Sequence, residues 1–245
     1  MTVSTGQSPP SASGPRAVGA RIDVRGLSMA YETTLGRVRA LDDVSLSVRP
    51  GGSVAVVGPS GCGKSTLLGI LGGLELPTAG DVRIDADLVS AMPDQQRAAL
   101  RRRAFGFVFQ ADNLQPFLTV TENVGLQAVL AGLADEPSRN QELLDALDVG
   151  SLGHRFPDQL SGGQRQRVAV ARALVHSPSV VLADEPTGSL DIVSSEKVVS
   201  LLLRLHREVG TTLVVVTHDR SVAERMDVMV EMSAGRIAGT RELRP

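Results

Sequence analysis

A glycine-rich segment that directly follows a short apolar run constrains this chain more than any other feature. Residues 58–66 read Gly-Pro-Ser-Gly-Cys-Gly-Lys-Ser-Thr and match the pattern G-x-x-x-x-G-K-[ST]. The apolar residues 54–57 predict a buried strand, and residues 64–73 predict a helix. A strand, a glycine-rich turn and a helix in this order are typical of a phosphate-binding loop. We therefore expect an α/β fold with a nucleotide site at this loop.

The residue types in the loop fit contacts with a nucleotide. Glycines let backbone N–H groups turn inward around phosphate oxygens, Lys64 supplies charge to the β- and γ-phosphates, and the Ser65 hydroxyl is a ligand for Mg²⁺. A chance Gly-rich turn is the weaker interpretation, because the flanking strand and helix are the context that the motif requires. The predicted nucleotide contacts are Gly58, Ser60, Gly61, Cys62, Gly63, Lys64, Ser65 and Thr66.

Two adjacent carboxylates end another apolar run. Residues 180–183 are apolar and are followed by Asp184 and Glu185. A buried strand can deliver Asp184 to the Mg²⁺ held by Ser65, and Glu185 then stands where it can polarise an attacking water. Solvated carboxylates are common at strand ends in α/β proteins, but beside a phosphate-binding loop the pair predicts a catalytic site.

A second anion site is predicted at Ser161. This serine is a helix N-cap, and Gly162 and Gly163 leave N–H groups free at the start of the helix. The alternative is an ordinary glycine-assisted cap. Because Lys64 already serves a phosphate, a second anion site makes sense if it serves a nucleotide bound by another copy of the chain.

The wider pattern predicts a parallel sheet covered by helices, preceded by antiparallel strands. Strands are predicted at residues 22–29, 44–48, 54–57, 81–84, 105–109, 180–183, 212–217 and 228–232. Helices are predicted at residues 64–73, 94–103, 120–133, 136–147, 161–176 and 194–208, with a short helix before the last strand. The helix at 120–133 is apolar around much of its circumference, so it needs burial on more than one side, in a core or against a partner.

Composition narrows the function further. The formal net charge is −2, so no global basic field exists to hold nucleic acid or anionic lipid. No apolar run is long enough to span a bilayer, and the single cysteine, Cys62, excludes an internal disulfide. We expect a soluble intracellular chain, with residues 1–20 as a disordered tail without signal-peptide features and residues 21–245 as one domain.

The motifs and their order resemble the ATP-binding cassette (ABC) ATPases over about residues 21–237. This resemblance implies the P-loop NTPase fold of ABC type: a mainly parallel core sheet, an antiparallel β-subdomain, and a helical subdomain inserted at about residues 111–168. It also implies a head-to-tail dimer that sandwiches two ATP molecules with Mg²⁺. Gln110 looks like the Q-loop glutamine and a Mg²⁺ ligand, residues 189–191 like the D-loop, and His218 like the switch histidine.

The resemblance assigns further contacts in that dimer. In each site Lys64, Ser65, Gln110, Asp184, Glu185 and His218 of one copy would face Ser161 and Gly163 of the other. Gly162 and Gln164 of the same signature are also predicted to bind the nucleotide. Tyr31 stands at the spacing of the family's adenine-stacking aromatic, although it also fits a strand-edge aromatic. Asp191 would lie at the dimer seam or serve merely as a turn acid. Cys62 fits a small loop filler better than a catalyst, because no step needs a thiolate.

Residues 109–124 and 183–191 resemble the macrolide-export, lipoprotein-release and cell-division subgroup, with Ser189 where Asn is more usual. The resemblance implies an ATPase that drives a separately encoded permease at the cytoplasmic face of the membrane, to export or extract a hydrophobic substrate, antibiotic, peptide or lipoprotein. Residues 105–118, with 120–133 behind them, offer apolar surface for a permease helix, and the alternative is that they form ordinary core of the helical subdomain.

Three alternatives stay open. A transmembrane signalling complex that controls a cell-wall enzyme is compatible with every residue above. A soluble nucleic-acid-associated ABC ATPase fits less well, because the basic run 101–103 is explained more simply as a solvated helix face. A P-loop kinase leaves residues 160–164 unexplained.

Overall fold

A computed structural model describes residues 19–34, 36–134, 136–188 and 190–244. The predicted tail lies outside the described residues apart from Gly19 and Ala20. In chain order the strands are β1 (Ile22–Thr33), β2 (Gly36–Val48), β3 (Ser53–Val57), β4 (Ala79–Ile84), β5 (Asp87–Leu88), β6 (Phe105–Val108), β7 (Val180–Asp184), β8 (Thr212–Val216), β9 (Val228–Ser233) and β10 (Arg236–Glu242). The helices are α1 (Lys64–Leu71), α2 (Asp94–Ala104), α3 (Val120–Leu130), α4 (Pro137–Ala146), α5 (Gly162–Leu174), α6 (Ile192–Val209) and α7 (Arg220–Ala223). Within these ranges no helix is long and apolar enough to cross a membrane.

A six-stranded sheet forms the centre of the molecule, in the order β10-β9-β3-β8-β7-β6. The strands from β9 to β6 pair in parallel, and β10 adds an antiparallel edge. Val54 and Val56 of β3 and the three valines of β8 are buried, as expected for a parallel sheet covered on both faces. This confirms the predicted α/β class. The parallel strands end at one edge, so the residues after β3, β6, β7 and β8 meet there.

A second, antiparallel sheet has the order β2-β1-β4-β5 and packs on α1. The prediction of antiparallel strands near the N terminus is confirmed, but the β1–β2 hairpin is much longer than the alternation at 22–29 and 44–48 indicated. Its outer part pairs Tyr31 with Val38. Both faces there are largely exposed, so this part of the hairpin carries no apolar alternation for a sequence pattern to detect.

Helices α3, α4 and α5 pack together beside the sheet. Helix α3 begins at a capping box made by Thr119 and Glu122, as predicted, but it ends at Leu130, short of residue 133. Val120, Val124 and Ala128 are buried, whereas Val129 and Leu130 are 55% and 47% exposed. The described part of the chain therefore buries one side of α3 and leaves apolar surface on the other. The boundaries 111–168 for a helical subdomain stay a prediction.

Candidate active site

The phosphate-binding loop leads from β3 into α1 and leaves the start of this helix open. Gly63 occupies the N-cap position with φ of 103°, and among the described residues no side chain caps the helix. A Cβ on Gly63 would lie 2.4 Å from the Ala40 carbonyl oxygen, so only glycine fits. Because the first N–H groups of a helix have no intrahelical acceptor, they remain available to an anion.

Lys64 lies at the centre of the loop. Its side chain is buried, and Nζ donates hydrogen bonds to the carbonyl oxygens of Gly58 (2.8 Å) and Pro59 (3.0 Å). These bonds satisfy the ammonium group, which would otherwise be costly to bury. A phosphate is a stronger partner than a carbonyl because the bond to it is charge-assisted at both ends. The two carbonyls thus hold the lysine side chain at the place where the β- and γ-phosphates are expected to bind.

The hydroxyl of Ser65 lies close enough to the carboxylate of Asp184 to favour its ionised form. Burial raises the pKa of Asp184 and the neighbouring Glu185 charge raises it further, while Ser65 and Lys64 act in the opposite direction. The prediction that the end of β7 meets the start of α1 therefore agrees with the structure. Hydroxyl and carboxylate oxygens are the donors that Mg²⁺ prefers, and a nearby cation would relieve the cost of the ionised Asp184.

Glu185 and His218 form the neighbouring pair. His218 Nδ1 lies 2.9 Å from Glu185 Oε2, and the side chains are 74% and 14% exposed. This close approach lacks the alignment of a hydrogen bond, and within the described ranges Oε2 is a buried oxygen without a hydrogen-bond partner. The Glu185 backbone has φ of 47°, and its N–H donates to the Val216 carbonyl at 2.9 Å. A buried carboxylate oxygen with unused acceptor capacity is suited to hold a water molecule.

Gln110 reaches the same place from β6. Its side-chain nitrogen lies 3.9 Å from the position of a Cβ on Gly188, at the turn that the Gly188 N–H closes onto the Glu185 carbonyl (3.1 Å). The structure thus brings together Lys64, Ser65, Gln110, Asp184, Glu185 and His218, although their catalytic and binding roles stay predictions.

The segment at Ser161 begins α5 with a capping box. Ser161 Oγ accepts from the Gln164 N–H at 3.3 Å, and Gln164 Oε1 accepts from the Ser161 N–H at 2.9 Å. This confirms the predicted N-cap and shows that the Gln164 side chain already has a local role. Gly163 faces Leu190, whose Cδ2 is 3.3 Å from the Cβ position. Contacts of Ser161, Gly162, Gly163 and Gln164 with a nucleotide stay predictions.

Tyr31 and Asp191 both make contacts within the chain. The Tyr31 hydroxyl donates to Glu75 Oε2 at 2.6 Å and lies near Thr66, and burial together with the Glu75 carboxylate raises the pKa of Tyr31. Tyr31 is therefore close to α1, as adenine stacking requires. Asp191 caps α6 by accepting from the Ser194 N–H at 3.0 Å, so a structural role accounts for it. Ser189, in the predicted D-loop, lies outside the described residues.

Sequence patterns missed the side chains that hold the loop after Gln110. Arg172 donates to the carbonyls of Asp112 (2.9 Å) and Asn113 (2.6 Å), and Arg165 Nε lies 2.8 Å from the Asp112 carboxylate. Asn123, fully buried in α3, bonds the backbone of residues 115, 118 and 119. A polar Asn within the apolar run of α3 was the available signal.

A groove of about 300 Å³ lies between α2, β6, α3 and α5, next to this loop. Its apolar lining includes Phe107, Phe109, Leu126 and Leu130. The charged residues in its lining are arginines: Arg101, Arg102 and Arg172. The groove coincides with the apolar surface predicted at residues 105–118 and 120–133.

Comparison with known proteins gives consistent results. The sequence pattern of the family described as "ABC transporter" matches residues 41–188. The lipoprotein-releasing system ATP-binding protein LolD of Xanthomonas axonopodis pv. citri is 45% identical over 234 residues, which cover 94% of each chain. An ABC transporter ATP-binding protein of Thermotoga maritima is 48% identical over 211 residues, covering 85% of this chain and 90% of that one.

Solved structures agree with the sequence relatives. The dimeric post-hydrolysis structure of the ATP-binding cassette MJ0796 bound to ADP and Pi superimposes with a TM-score of 0.87 at 38% identity, covering 91% of this chain and 99% of that one. A second dimeric structure of MJ0796, a bacterial ABC transporter cassette, gives a TM-score of 0.88. The solved structures thus share the fold of this chain, and the residues 58–66 and 184–185 lie within the range 41–188 that matches the family.

Proposed function

The chain belongs to the ABC transporter family, and we propose that it is the ATP-hydrolysing subunit of a lipoprotein-releasing complex, acting on a separately encoded permease. The observation that supports ATP hydrolysis most directly is the meeting of Lys64, Ser65, Asp184 and Glu185 at one edge of the sheet. The chain is an ATPase of α/β fold, and the assignment of each residue below is our proposal.

ATP binding would begin at the phosphate-binding loop. The β- and γ-phosphates accept from the N–H groups at the start of α1, and Lys64 leaves the Gly58 and Pro59 carbonyls to contact them. Tyr31 stacks on adenine beside α1. The phosphates thus replace two neutral acceptors with charged ones, which favours the bound state.

Hydrolysis would be an in-line attack by water on the γ-phosphate. Glu185 Oε2 accepts a hydrogen bond from this water and takes up its proton as the O–P bond forms, and the bond between the γ-phosphorus and the β,γ-bridging oxygen breaks to leave ADP. His218, 2.9 Å from the same carboxylate, orients Glu185 and donates to the γ-phosphate. Lys64 stabilises the charge that develops on the phosphate oxygens.

The donors near Asp184 fit a bound Mg²⁺. Ser65, Asp184 and Gln110 offer a hydroxyl, a carboxylate and an amide oxygen, all of them oxygen ligands. Mg²⁺ prefers octahedral coordination, so these three oxygens would leave positions that the ATP phosphates and water could fill. When bound, the ion would supply positive charge that stabilises the charge developing on the phosphate oxygens.

The second anion site at Ser161 supports a head-to-tail dimer. Gly162 and Gly163 leave N–H groups at the start of α5, while the same chain already has a phosphate loop at α1. In the dimer each α5 start faces the nucleotide held by the other copy. The dimeric state of the two similar cassette structures supports this arrangement.

The groove beside Gln110 is the surface that we assign to the permease. Its apolar lining and the exposed side of α3 suit a short helix, and Arg172 connects the groove to the carbonyls of the loop after Gln110. A helix seated there reaches the nucleotide site through this loop. The chain would thus work at the cytoplasmic face of the membrane without spanning it, and the lipoprotein substrate follows from the similarity to LolD.

The variant Glu185→Gln tests the catalytic proposal. It should bind ATP and dimerise, because the charge and hydrogen bonds of the phosphate loop are intact, while phosphate release falls by about a hundredfold or more. Glu224→Gln, which makes the same change at an exposed residue, is the control. Turnover of Glu185→Gln at the wild-type rate would remove Glu185 from the mechanism.

The variant Leu130→Asp tests the docking surface. It places a charge on an exposed apolar residue of the groove, so basal ATPase activity should persist while recovery in the membrane fraction is lost. Val38→Asp also places a charge at an exposed apolar residue, but on the β1–β2 hairpin, which does not line the groove, so it should leave membrane association unchanged. Equal membrane association of the two variants would contradict the assignment of the groove.

A further inference from the structure

The turn between β9 and β10 packs against the outer side of the phosphate-binding loop. Gly235, in this turn, donates its N–H to the Cys62 carbonyl at 3.1 Å and accepts from the Asp42 N–H at 2.9 Å. Gly235 is buried and has φ of 78°. A single residue near the end of the chain thus joins the phosphate loop to β2.

Three glycines around these bonds leave no room for a side chain. A Cβ on Gly235 would lie 2.9 Å from the Ala40 carbonyl oxygen, and a Cβ on Gly63 would lie 2.4 Å from the same oxygen. The β2 backbone at Ala40 is therefore held between the turn and the loop. At the start of the loop, a Cβ on Gly58 would lie 2.2 Å from the Met232 carbonyl oxygen, at the end of β9. The backbone of the loop is therefore packed closely against β2 and β9.

Ion pairs on the surface join the same elements. Asp42 contacts Arg236 of β10, and its other carboxylate oxygen lies 2.9 Å from Arg39. Both arginines are exposed, so these pairs contribute little stability by themselves. They keep the Asp42 backbone beside Gly235 and so support the bond between them.

The bond to Cys62 matters because of the geometry of the peptide unit. The Cys62 carbonyl and the Gly63 N–H belong to one planar peptide group, and in a trans peptide they point in opposite directions. When Gly235 holds the carbonyl on the outer side of the loop, the Gly63 N–H must point to the inner side. That side is where the N–H groups of this motif surround phosphate oxygens.

We propose that Gly235 is a positioning residue for ATP, which sets the plane of the Cys62–Gly63 peptide and so aims the Gly63 N–H at a phosphate. It does not touch the nucleotide. Its role is to hold the loop in the binding geometry before ATP arrives, which lowers the ordering cost of binding. This role requires only that the chain binds ATP, and is independent of the permease and of the transported substrate.

The test is Gly235→Ala, compared with Gly132→Ala. Gly132 has nearly the same φ, 79°, but a Cβ there meets nothing within 4 Å. Because the φ angles match, an alanine is disfavoured by a similar amount at both positions, and only Gly235→Ala adds the clash with Ala40. Titration with a fluorescent ATP analogue should give a Kd about tenfold higher for Gly235→Ala than for Gly132→Ala. The KM for ATP should rise likewise, while kcat at saturating ATP changes less than threefold.

A merely structural role predicts a different outcome. It would lower Tm for Gly235→Ala and leave the Kd of the folded protein equal to that of Gly132→Ala, which would overturn the proposal. Asp42→Ala serves as a second variant, because it removes the surface tethers without inserting a group at the turn. It should raise the Kd two- to threefold, and if Gly235→Ala does not fold, a wild-type Kd for Asp42→Ala would overturn the proposal.

Discussion

Replacement of Asn123 by alanine should lower the stability of the chain by about 2–4 kcal/mol, although Asn123 touches no predicted phosphate ligand. Its Oδ1 accepts from the Gln115 N–H at 2.7 Å. Its Nδ2 lies within hydrogen-bond distance of the carbonyl oxygens of Gln115 (3.1 Å), Leu118 (2.9 Å) and Thr119 (3.0 Å). One fully buried amide therefore organises the loop between Gln110 and α3.

The magnitude follows from which groups lose their partners. The Gln115 and Thr119 carbonyls keep a second donor, from the N–H groups of Leu118 and Asn123. The Gln115 N–H and the Leu118 carbonyl lose the partner that the structure gives them, and each unsatisfied group costs about 1–3 kcal/mol, less where water reaches the loop. Against a total stability of about 5–15 kcal/mol, this loss should lower Tm by roughly 5–15 °C.

Urea unfolding monitored by circular dichroism measures the change. Gln127→Ala is the control, because it removes an amide from the same helix one turn later, where the side chain is only half-buried. We expect its stability to change by about 0.5 kcal/mol or less. Equal effects of the two substitutions would refute the reasoning from the Asn123 hydrogen bonds.

The isosteric variant Asn123→Asp gives a pH-dependent version of the same test. Its second carboxylate oxygen faces three carbonyl oxygens in a buried place, so the folded pKa of the new carboxyl rises above its unfolded value of about 3.9. A raised folded pKa means that stability is fully present below the unfolded pKa and is lost as pH rises through the folded pKa. The free energy of unfolding of the variant, relative to the wild type, should therefore be lower at pH 8 than at pH 5.

Three further predictions concern single side chains. Burial lowers the pKa of His176 below 6.5, so the neutral side chain contributes stability above pH 6.5 that is lost as pH falls through the folded pKa. In urea unfolding, His176→Gln should remove this pH dependence of stability between pH 7 and 5. Thr119→Ala and Ser161→Ala each remove a capping box and should each cost about 1 kcal/mol, but only Ser161→Ala should weaken ATP-induced dimerisation in gel filtration. Lys64→Met should raise the Kd for ATP by at least about tenfold in titration with a fluorescent ATP analogue. An unchanged Kd would contradict the proposal that Lys64 contacts the phosphates.

Local sequence patterns were sufficient for several parts of the site. The phosphate-binding loop needs glycine at Gly63 because of its φ of 103°, and the capping box at Ser161 depends on residues three apart in the chain. The position of Asp184 near Ser65 also followed from the sequence, because neighbouring parallel strands end at the same edge of a sheet. In each case the interacting residues are close together in the chain, or the rule that neighbouring parallel strands end at one edge places them together.

Other contacts depended on the tertiary structure alone. The bond from Gly235 to Cys62 joins residues far apart in the chain, and the register of the β1–β2 hairpin is set where both faces are exposed and no apolar pattern marks it. Strand β10 was missed because its residues are mostly exposed along their length. The Asn123 bonds and the open apolar side of α3 likewise have no local signature. The sequence by itself therefore determined the fold class, the phosphate loop and the adjacent carboxylates. Only the tertiary structure decided how the peptide groups of that loop are oriented and which apolar surface stays exposed, because both depend on contacts between segments far apart in the chain.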